Sequence, residues 1–431
     1  MGTMSMVLLL VVMLALLGAG VWIGIALLGV AWFAVAFFTS KLAGDSMVLA
    51  VWSSMSSWIL TALPLFIWMG EILLKTRLSE GMFKGLAPWM QALPGRLLHV
   101  NVLGCTIFAS ATGSSAATCA MVGKISLPEL KKRGYPERIS VGSLAGAGTL
   151  GLMIPPSIMM IVYGVATDVS IGKLFIAGVI PGLMIAGLFF SYVALWSIFN
   201  KDKIPPADAP MSFREKVRNS AELLPVVVLV VIVLGSIYGG YATPTEAASV
   251  GVVGGFLLAA SQGELTWKMF RESLESATRL YCMIALILAG SAFLTLSMGF
   301  IGLPRVTAEW IGSLNLSPTM LLLALLVFYI ILGCFLDGIS LIVLTTAVLL
   351  PTLHAAGIDL LWFGIFVVIV VEMAQITPPV GFNLFVIQGM TGKQLTYIAY
   401  AALPYFLLML LSLALLWMFP ALVTALPNNM N

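Results

Sequence analysis

Pro155-Pro156 and Pro378-Pro379 interrupt two apolar stretches, while Gly113-Ser114-Ser115 and Asp337-Gly338 put small and polar residues at the centre of two others. Proline removes a backbone donor and ends regular helix geometry. Unpaired carbonyls and amides at membrane depth survive only where protein or a water-filled cavity supplies partners. Paired breaks of this kind suit one chemistry: unwound carbonyls coordinate a cation, and half-helix N-termini attract an anionic group of a solute. Gly113-Ser114-Ser115 reads as a re-entrant tip whose hydroxyls and carbonyls bind ion and solute, or more plainly as small residues that let helices pack closely. Asp337 sharpens the first reading, because an intramembrane carboxylate is costly and is usually paired with an ion or a base. Glu372, five residues before Thr377, is a second carboxylate, open either to such a role or to satisfaction by a neighbouring helix. Glu71 and Glu246 lie near span ends and read as structural. His99 and His354 stand alone near loops, which argues against a proton relay or metal site.

These breaks need helices to position them. Of 431 residues, 61% are hydrophobic and 9% charged, too few charges to cover a water-facing surface. Lipid is therefore the solvent. The recurring apolar stretches suit helices spanning a core of ~30 Å, and none shows the alternation of a membrane barrel. The net charge of +3 is small, with Lys and Arg between apolar segments, so it carries topology and not nucleic-acid binding. Cys105, Cys119, Cys282 and Cys334 lie in apolar stretches without C-x-x-C spacing and read as packing residues. The first apolar run lacks the basic start and cleavage site of a signal peptide, so Met1 is expected to begin the mature chain.

Met6–Phe38 is too long for one span and is expected to break at Gly18-Ala19-Gly20. An interfacial helix is expected between Lys75 and Arg96, where charge alternates with apolar and aromatic residues. The Pro-rich, charged segment 201–222 reads as a cytoplasmic linker dividing a first repeat, 1–200, from a second, 223–431. In the second half, spans flank Thr243-Pro244-Thr245-Glu246, and a charged amphipathic stretch from Glu264 to Arg279 is expected to match the interfacial helix.

Sliding the chain by 223 residues aligns Leu127-Pro128-x-Leu130 with Leu350-Pro351-x-Leu353, Gly134 with Gly357, and Pro155-Pro156 with Pro378-Pro379, without a gap. The same offset puts Ser114 on Asp337 and Gly20 on Thr243. Such duplication is the mark of transport folds built from internal repeats. Lys124–Arg138 carries five basic residues and its counterpart Ala347–Leu361 carries no Lys or Arg, so the two loops face opposite sides and the copies are inverted. Five crossings between Gly134 and Gly357 agree, and place both termini outside. The expected fold is all-α: a polytopic membrane protein of inverted repeats, with two re-entrant hairpins and two helices broken at 154–157 and 377–379.

The motifs resemble the large membrane (M) subunit of the tripartite ATP-independent periplasmic (TRAP) transporters, the DctM family, over essentially the whole chain. The matching stretches are Pro64-Leu65-Phe66-Ile67-Trp68-Met69-Gly70-Glu71, Gly113-Ser114-Ser115, Lys132-Arg133-Gly134-Tyr135 and Thr149-Leu150-Gly151-Leu152-Met153-Ile154-Pro155-Pro156-Ser157. In the second half they are Thr243-Pro244-Thr245-Glu246-Ala247-Ala248 and Ile376-Thr377-Pro378-Pro379-Val380-Gly381-Phe382-Asn383-Leu384-Phe385. The resemblance implies a multi-pass protein of the bacterial inner membrane and a sodium-coupled secondary importer of elevator type, with sodium ions as the coupling ion. A periplasmic substrate-binding protein (P type) would deliver a small organic solute, often acidic in this family. A separate four-helix membrane subunit (Q type) would complete the complex. Carried over residue by residue, sodium is expected near Gly113, Ser114, Ile154 and Pro155, and near Asp337, Gly338, Thr377 and Pro378. Ser115, Ser157 and Asn383 are the candidates for the solute. The chain departs from the family at Ala347, where proline is frequent, and at Ala374, where glycine is frequent.

A standalone divalent-anion/sodium symporter of similar inverted architecture is the rival within transport. An intramembrane enzyme would need a second aspartate at matching depth, a serine paired with a buried histidine, or an H-E-x-x-H motif, and the sequence has none of these. An inert structural subunit would not need duplicated polar breaks. No enzymatic activity is therefore expected.

Overall fold

The computed structural model describes residues 2–76, 78–208, 211–221, 223–302, 306, 317–334, 336–379 and 381–429, which contain helices and no strand. Pro210, Glu222 and Phe335, which the linker and second-tip expectations include, lie outside the described residues. The first half comprises α1 (Gly2–Gly18), α2 (Ile23–Phe38), α3 (Ala43–Met55), α4 (Ala62–Leu74), α5 (Leu78–Met90), α6 (Leu98–Thr112), α7 (Ser115–Lys132), α8 (Glu137–Gly148), α9 (Leu150–Met153), α10 (Ile158–Thr167) and α11 (Ile171–Phe199). After a short α12 (Phe213–Ser220), the second half comprises α13 (Leu224–Tyr238), α14 (Pro244–Ser261), α15 (Trp267–Ile301), α16 (Pro318–Gly333), α17 (Gly338–Ala355), α18 (Leu360–Gln375), α19 (Phe382–Thr391), α20 (Leu395–Met418) and α21 (Ala421–Asn428).

Helix boundaries follow the 223-residue offset. It carries α7 onto α17 at both ends and the first residue of α8 onto the first residue of α18. Gly134 and Gly357, which end the two hairpins, both have positive φ, a conformation that favours glycine. Both double-proline motifs contain a cis peptide bond. The first long apolar run breaks where expected, between Gly18 and Ile23.

The offset also carries α3 and α4 together onto α15, and here the copies differ: the first bends by 58° between Met55 and Trp58, while the second runs as one helix of 35 residues. This corrects the reading of Glu264–Arg279 as the partner of the interfacial helix. Its residues from Trp267 onward are the first turns of α15, which at ~1.5 Å per residue is far longer than a ~30 Å hydrocarbon core, so the charged turns extend beyond it. The offset partner of α5 falls on 301–313, most of which lies outside the described residues.

Among the described residues, α11, α14, α15 and α20 are each long and apolar enough to cross a bilayer alone. At 15 and 16 residues, α6 and α16 reach only ~22–24 Å, short enough to serve as limbs of the two hairpins. Large apolar side chains such as Trp22, Phe37, Leu42, Trp52 and Trp58 are exposed, which suits lipid as the surrounding solvent.

Small residues let the helices touch. A Cβ on Gly290 of α15 would lie 2.7 Å from the Gly24 carbonyl oxygen of α2, and one on Gly251 of α14 would lie 2.4 Å from the Met69 sulfur of α4. The linker is strapped down. Asp208 accepts from Gln91 Nε2 at 2.9 Å and from the Arg133 guanidinium, and Trp89 Nε1 donates to Ser220 Oγ at 2.7 Å. Nearby, Lys393 pairs with Glu137 at 2.9 Å, joining the entry of α20 to that of α8, and this bond holds the ammonium above its usual pKa.

The α8–α20 contact gives a test. A Cβ on Gly142 would fall 2.2 Å from the Ala401 carbonyl oxygen, a backbone atom, whereas Gly187 in α11 has open space around it. Gly142→Ala is expected to destabilise the purified protein by about 1–3 kcal/mol. Gly187→Ala is expected to be neutral or to stabilise by up to ~1 kcal/mol. Thermal unfolding in detergent compares them, and an unchanged Gly142→Ala melting temperature would show that α8 and α20 are not packed this closely.

Candidate functional site

Each hairpin tip sits against a helix break. The first tip is the turn between α6 and α7. Gly113 caps α6 with φ +58, and a Cβ there would meet the Pro156 carbonyl oxygen at 3.0 Å and the Ile158 amide at 3.5 Å. Both backbone conformation and space therefore call for glycine. One residue on, the Ser114 carbonyl and Ser115 Cα would each lie 2.6 Å from a Cβ on Gly151. Four helix ends thus converge: the C-termini of α6 and α9 and the N-termini of α7 and α10. C-terminal carbonyls carry partial negative charge and N-terminal amides partial positive charge, so one small volume offers groups for a cation and for an anion.

The second tip repeats the arrangement. Cys334 Sγ donates to the Pro378 carbonyl at 3.3 Å, and a Cβ on Gly338 would lie 3.5 Å from Gln375 Nε2. Ala374, where the family often has glycine, faces Gly333, whose Cβ would lie 2.4 Å from that of Ala374. Cys334 joins tip to break here, which its reading as a packing residue missed. Its place at the tip, one residue from Gly333, was the available signal.

The two tips are capped differently. Ser114 Oγ accepts from the Ala117 amide at 3.5 Å, at the limit of a hydrogen bond. Asp337 Oδ2 accepts from the amides of Ile339 and Ser340, both at 3.1 Å, and Oδ1 accepts from the Ser340 hydroxyl. Its charge lies at the positive end of α17, where it is stabilised. Thr112 and Thr118 hydroxyls, 2.8 Å apart, close the first tip internally.

Of the candidate residues, Gly113, Ser114, Ile154 and Pro155 meet at the first tip and break, and Asp337, Gly338, Thr377 and Pro378 surround the second. Ile154 and Pro155 are buried, whereas Thr377 is half-buried and Pro378 and Pro379 are exposed. The Thr377 hydroxyl turns back to donate to the Met373 carbonyl at 2.7 Å, leaving its own carbonyl near Gly381. Ser157 is buried in the first break, where its hydroxyl donates to the Leu152 carbonyl and accepts from the Met160 amide at 3.4 Å. It spans the break from one half-helix to the other.

Ser115 Oγ donates to Glu372 Oε1 at 2.6 Å, and both residues are buried. This answers the question left open for Glu372: a neighbouring helix binds one oxygen. Its Oε2, and both polar atoms of the buried Asn383, have no hydrogen-bond partner among the described residues. Each such group costs about 1–3 kcal/mol. Asn383 lies against Gly148. Glu246 forms a capping box with Thr243 at the start of α14, as its structural reading expected. Apart from the tips, a cavity of about 670 Å³ opens between the α3–α4 bend, the end of α10 and α15, lined in part by Ser46, Ser53, Ser57, Asp168, Ser291 and Thr295.

The family model of the tripartite ATP-independent periplasmic transporter, DctM component, matches residues 10–422. The chain belongs to this family. It is 34% identical to the C4-dicarboxylate TRAP transporter large permease protein of Pseudomonas aeruginosa over 89% of each chain. It is 31% identical to the protein of that name from Rhodobacter capsulatus over 99% of each. Other relatives are named for isethionate (Oleidesulfovibrio alaskensis, 32% identity) and for sialic acid (Vibrio cholerae, 28%). The crystal structure of the Alcanivorax borkumensis YdaH transporter matches with a TM-score of 0.66 over 93% of this chain and 98% of that one, at 13% identity, a likeness of fold. The chain is accordingly a large permease subunit and a transporter, not an enzyme.

The first break gives the second test. Both serines cap through stretched bonds, but Ser157 also donates to the Leu152 carbonyl across the break, so Ser157→Ala is expected to cost about 1 kcal/mol and Ser114→Ala less than ~0.5 kcal/mol. Unfolding of the two purified variants decides, and equal losses would show that the Ser157–Leu152 bond contributes nothing.

Proposed function

We propose that this permease carries out sodium-coupled uptake of a small acidic organic solute across the bacterial inner membrane. A periplasmic binding protein delivers the solute, and a separate small four-helix membrane subunit completes the complex. The observation that carries this reading is the convergence of helix ends of both polarities at two sites related by an inverted repeat. Carbonyl-rich C-termini beside Gly113, Ser114, Ile154 and Pro155, and beside Asp337, Gly338, Thr377 and Pro378, suit sodium. The amide-rich N-termini beside them suit a solute carboxylate. Ser115, Ser157 and Asn383 lie behind the tips and are the side chains that would reach the solute as the tips open.

An elevator movement is supported by the unequal exposure of the two breaks. In an inverted repeat, equivalent sites differ in exposure when one side of the membrane is open and the other closed. Here the first is buried and the second exposed. The acidic solute is supported by the C4-dicarboxylate names of two relatives, and the isethionate and sialic acid names fit an anionic class more broadly.

The test is reconstitution of the chain and its small subunit in liposomes with loaded binding protein and an imposed sodium gradient. Uphill uptake that collapses without the gradient is expected. Accumulation indifferent to sodium would reject the coupling, and full uptake without binding protein would favour a standalone symporter. Asp337→Asn tests the second ion site. Asparagine caps a helix as well as aspartate, so stability should stay within ~0.5 kcal/mol, while loss of the charge raises the sodium half-saturation at least about tenfold.

A further inference from the structure

Glu372 has no part in the mechanism above, yet it joins the first tip to the second broken helix. It belongs to α18 in the second repeat and is fully buried. Its Oε1 accepts the hydroxyl of Ser115, the first residue of α7 in the first repeat. The backbone amide of Leu152 in α9 approaches the same carboxyl. Ser157, across the first break, donates to the carbonyl of that same Leu152. One carboxyl thus contacts the first tip and the last turn before the first break, while its own helix runs into the second break a turn later. Asn383, on the far half of that broken helix, lies against Gly148, the last residue of α8, which Cys119 of α7 also approaches. The offset counterparts of this pair share no hydrogen bond, although the second tip packs against Met159 of the first broken helix. The offset carries Glu372 to Thr149, whose hydroxyl donates to the Gly146 carbonyl one turn back, and Ser115 to Gly338, which has no side chain.

We propose that Glu372 is a positioning residue: a clasp that holds the first tip in register with the second broken helix, so that ion binding at one is felt at the other. The proposal rests on the sodium-coupled reading above. Coupling between sites requires an element that both can move, and the Ser115–Glu372 bond is a physical connection between the tip of one repeat and the break of the other. The bond needs an acceptor at position 372 and a hydroxyl at 115. Glutamine keeps the acceptor, and alanine removes it.

The experiment compares Ser115→Ala, Glu372→Ala, Glu372→Gln and the double variant Ser115→Ala/Glu372→Ala in the reconstituted complex, with uptake titrated against sodium at saturating loaded binding protein. Each alanine variant should raise the sodium half-saturation about tenfold, and the double variant should be no worse than the worse single one. Glu372→Gln should stay within about twofold of the unaltered complex. Effects that multiply in the double variant, or a Ser115→Ala variant that behaves as the unaltered complex does, would overturn the clasp. If Glu372→Ala fails to insert, Ser115→Ala, which deletes one oxygen, carries the test against Glu372→Gln.

Hydrogen exchange at amides 113–117 reads the clasp without transport. Faster exchange in Ser115→Ala and near-native exchange in Glu372→Gln support it, and unchanged exchange in Ser115→Ala overturns it. Uptake by the unaltered complex that ignores sodium overturns the sodium-coupled reading instead, leaving the exchange result to judge the contact.

Discussion

A backbone amide or carbonyl in the hydrocarbon core must find a partner inside the protein, because lipid offers none. The arrangement at the centre of this chain follows from that requirement. Two helices stop in mid-membrane at double prolines, and two hairpins turn back there, so each repeat brings several unpaired helix ends to one depth. The ends are placed against one another: Gly113 against Pro156 and Ile158, and Cys334 against Pro378. Side chains supply what geometry leaves over. Ser157 spans the first break, and Asp337 caps α17 with both oxygens. The groups left to bind an ion or a solute are those that this mutual satisfaction does not exhaust.

Much of this was legible in the sequence because the breaking residues are few and specific. Proline at paired positions, glycine at hairpin exits and a lone aspartate among apolar residues each have a narrow range of structural meanings, and one offset relates them all. The bend between α3 and α4 was not legible, since Ser56-Ser57 between apolar residues is equally at home in a continuous helix. Nor was the assignment of Glu264–Arg279. A charged amphipathic stretch reads alike whether it lies along an interface or begins a helix longer than the membrane is thick. The Ser115–Glu372 bond was beyond reach because it joins residues 257 apart in the chain, and no local pattern records which helix a buried carboxyl will face.

The two tips show how equivalent positions diverge under one fold. Ser114 and Asp337 occupy the same N-cap, but the hydroxyl reaches its amide at 3.5 Å, whereas the carboxylate holds two amides at 3.1 Å and a hydroxyl besides. A weakly held cap leaves its oxygen and the neighbouring amides free to re-form around a ligand. A strongly held one fixes a negative charge in place before the ligand arrives. The first arrangement favours an adaptable site and the second a preorganised one.

Divergence of this kind bears on how an inverted repeat can work as a single carrier. Two copies related by symmetry alone would respond to ions independently, each tip with its own break. A carrier that moves its solute only when fully loaded needs a term that exists in neither copy by itself. Contacts between one tip and the broken helix of the other repeat are of that type, since they are absent from any one repeat; Gly338 at the second tip likewise packs against Met159 of the first broken helix. Glu372 against Ser115, Asn383 against Gly148, and Tyr163, whose hydroxyl donates to the Leu360 carbonyl at 2.7 Å, all cross from one copy to the other. The repeat supplies two similar tips and breaks, and the Ser115–Glu372 bond, which has no equivalent between Gly338 and Thr149, joins one copy to the other.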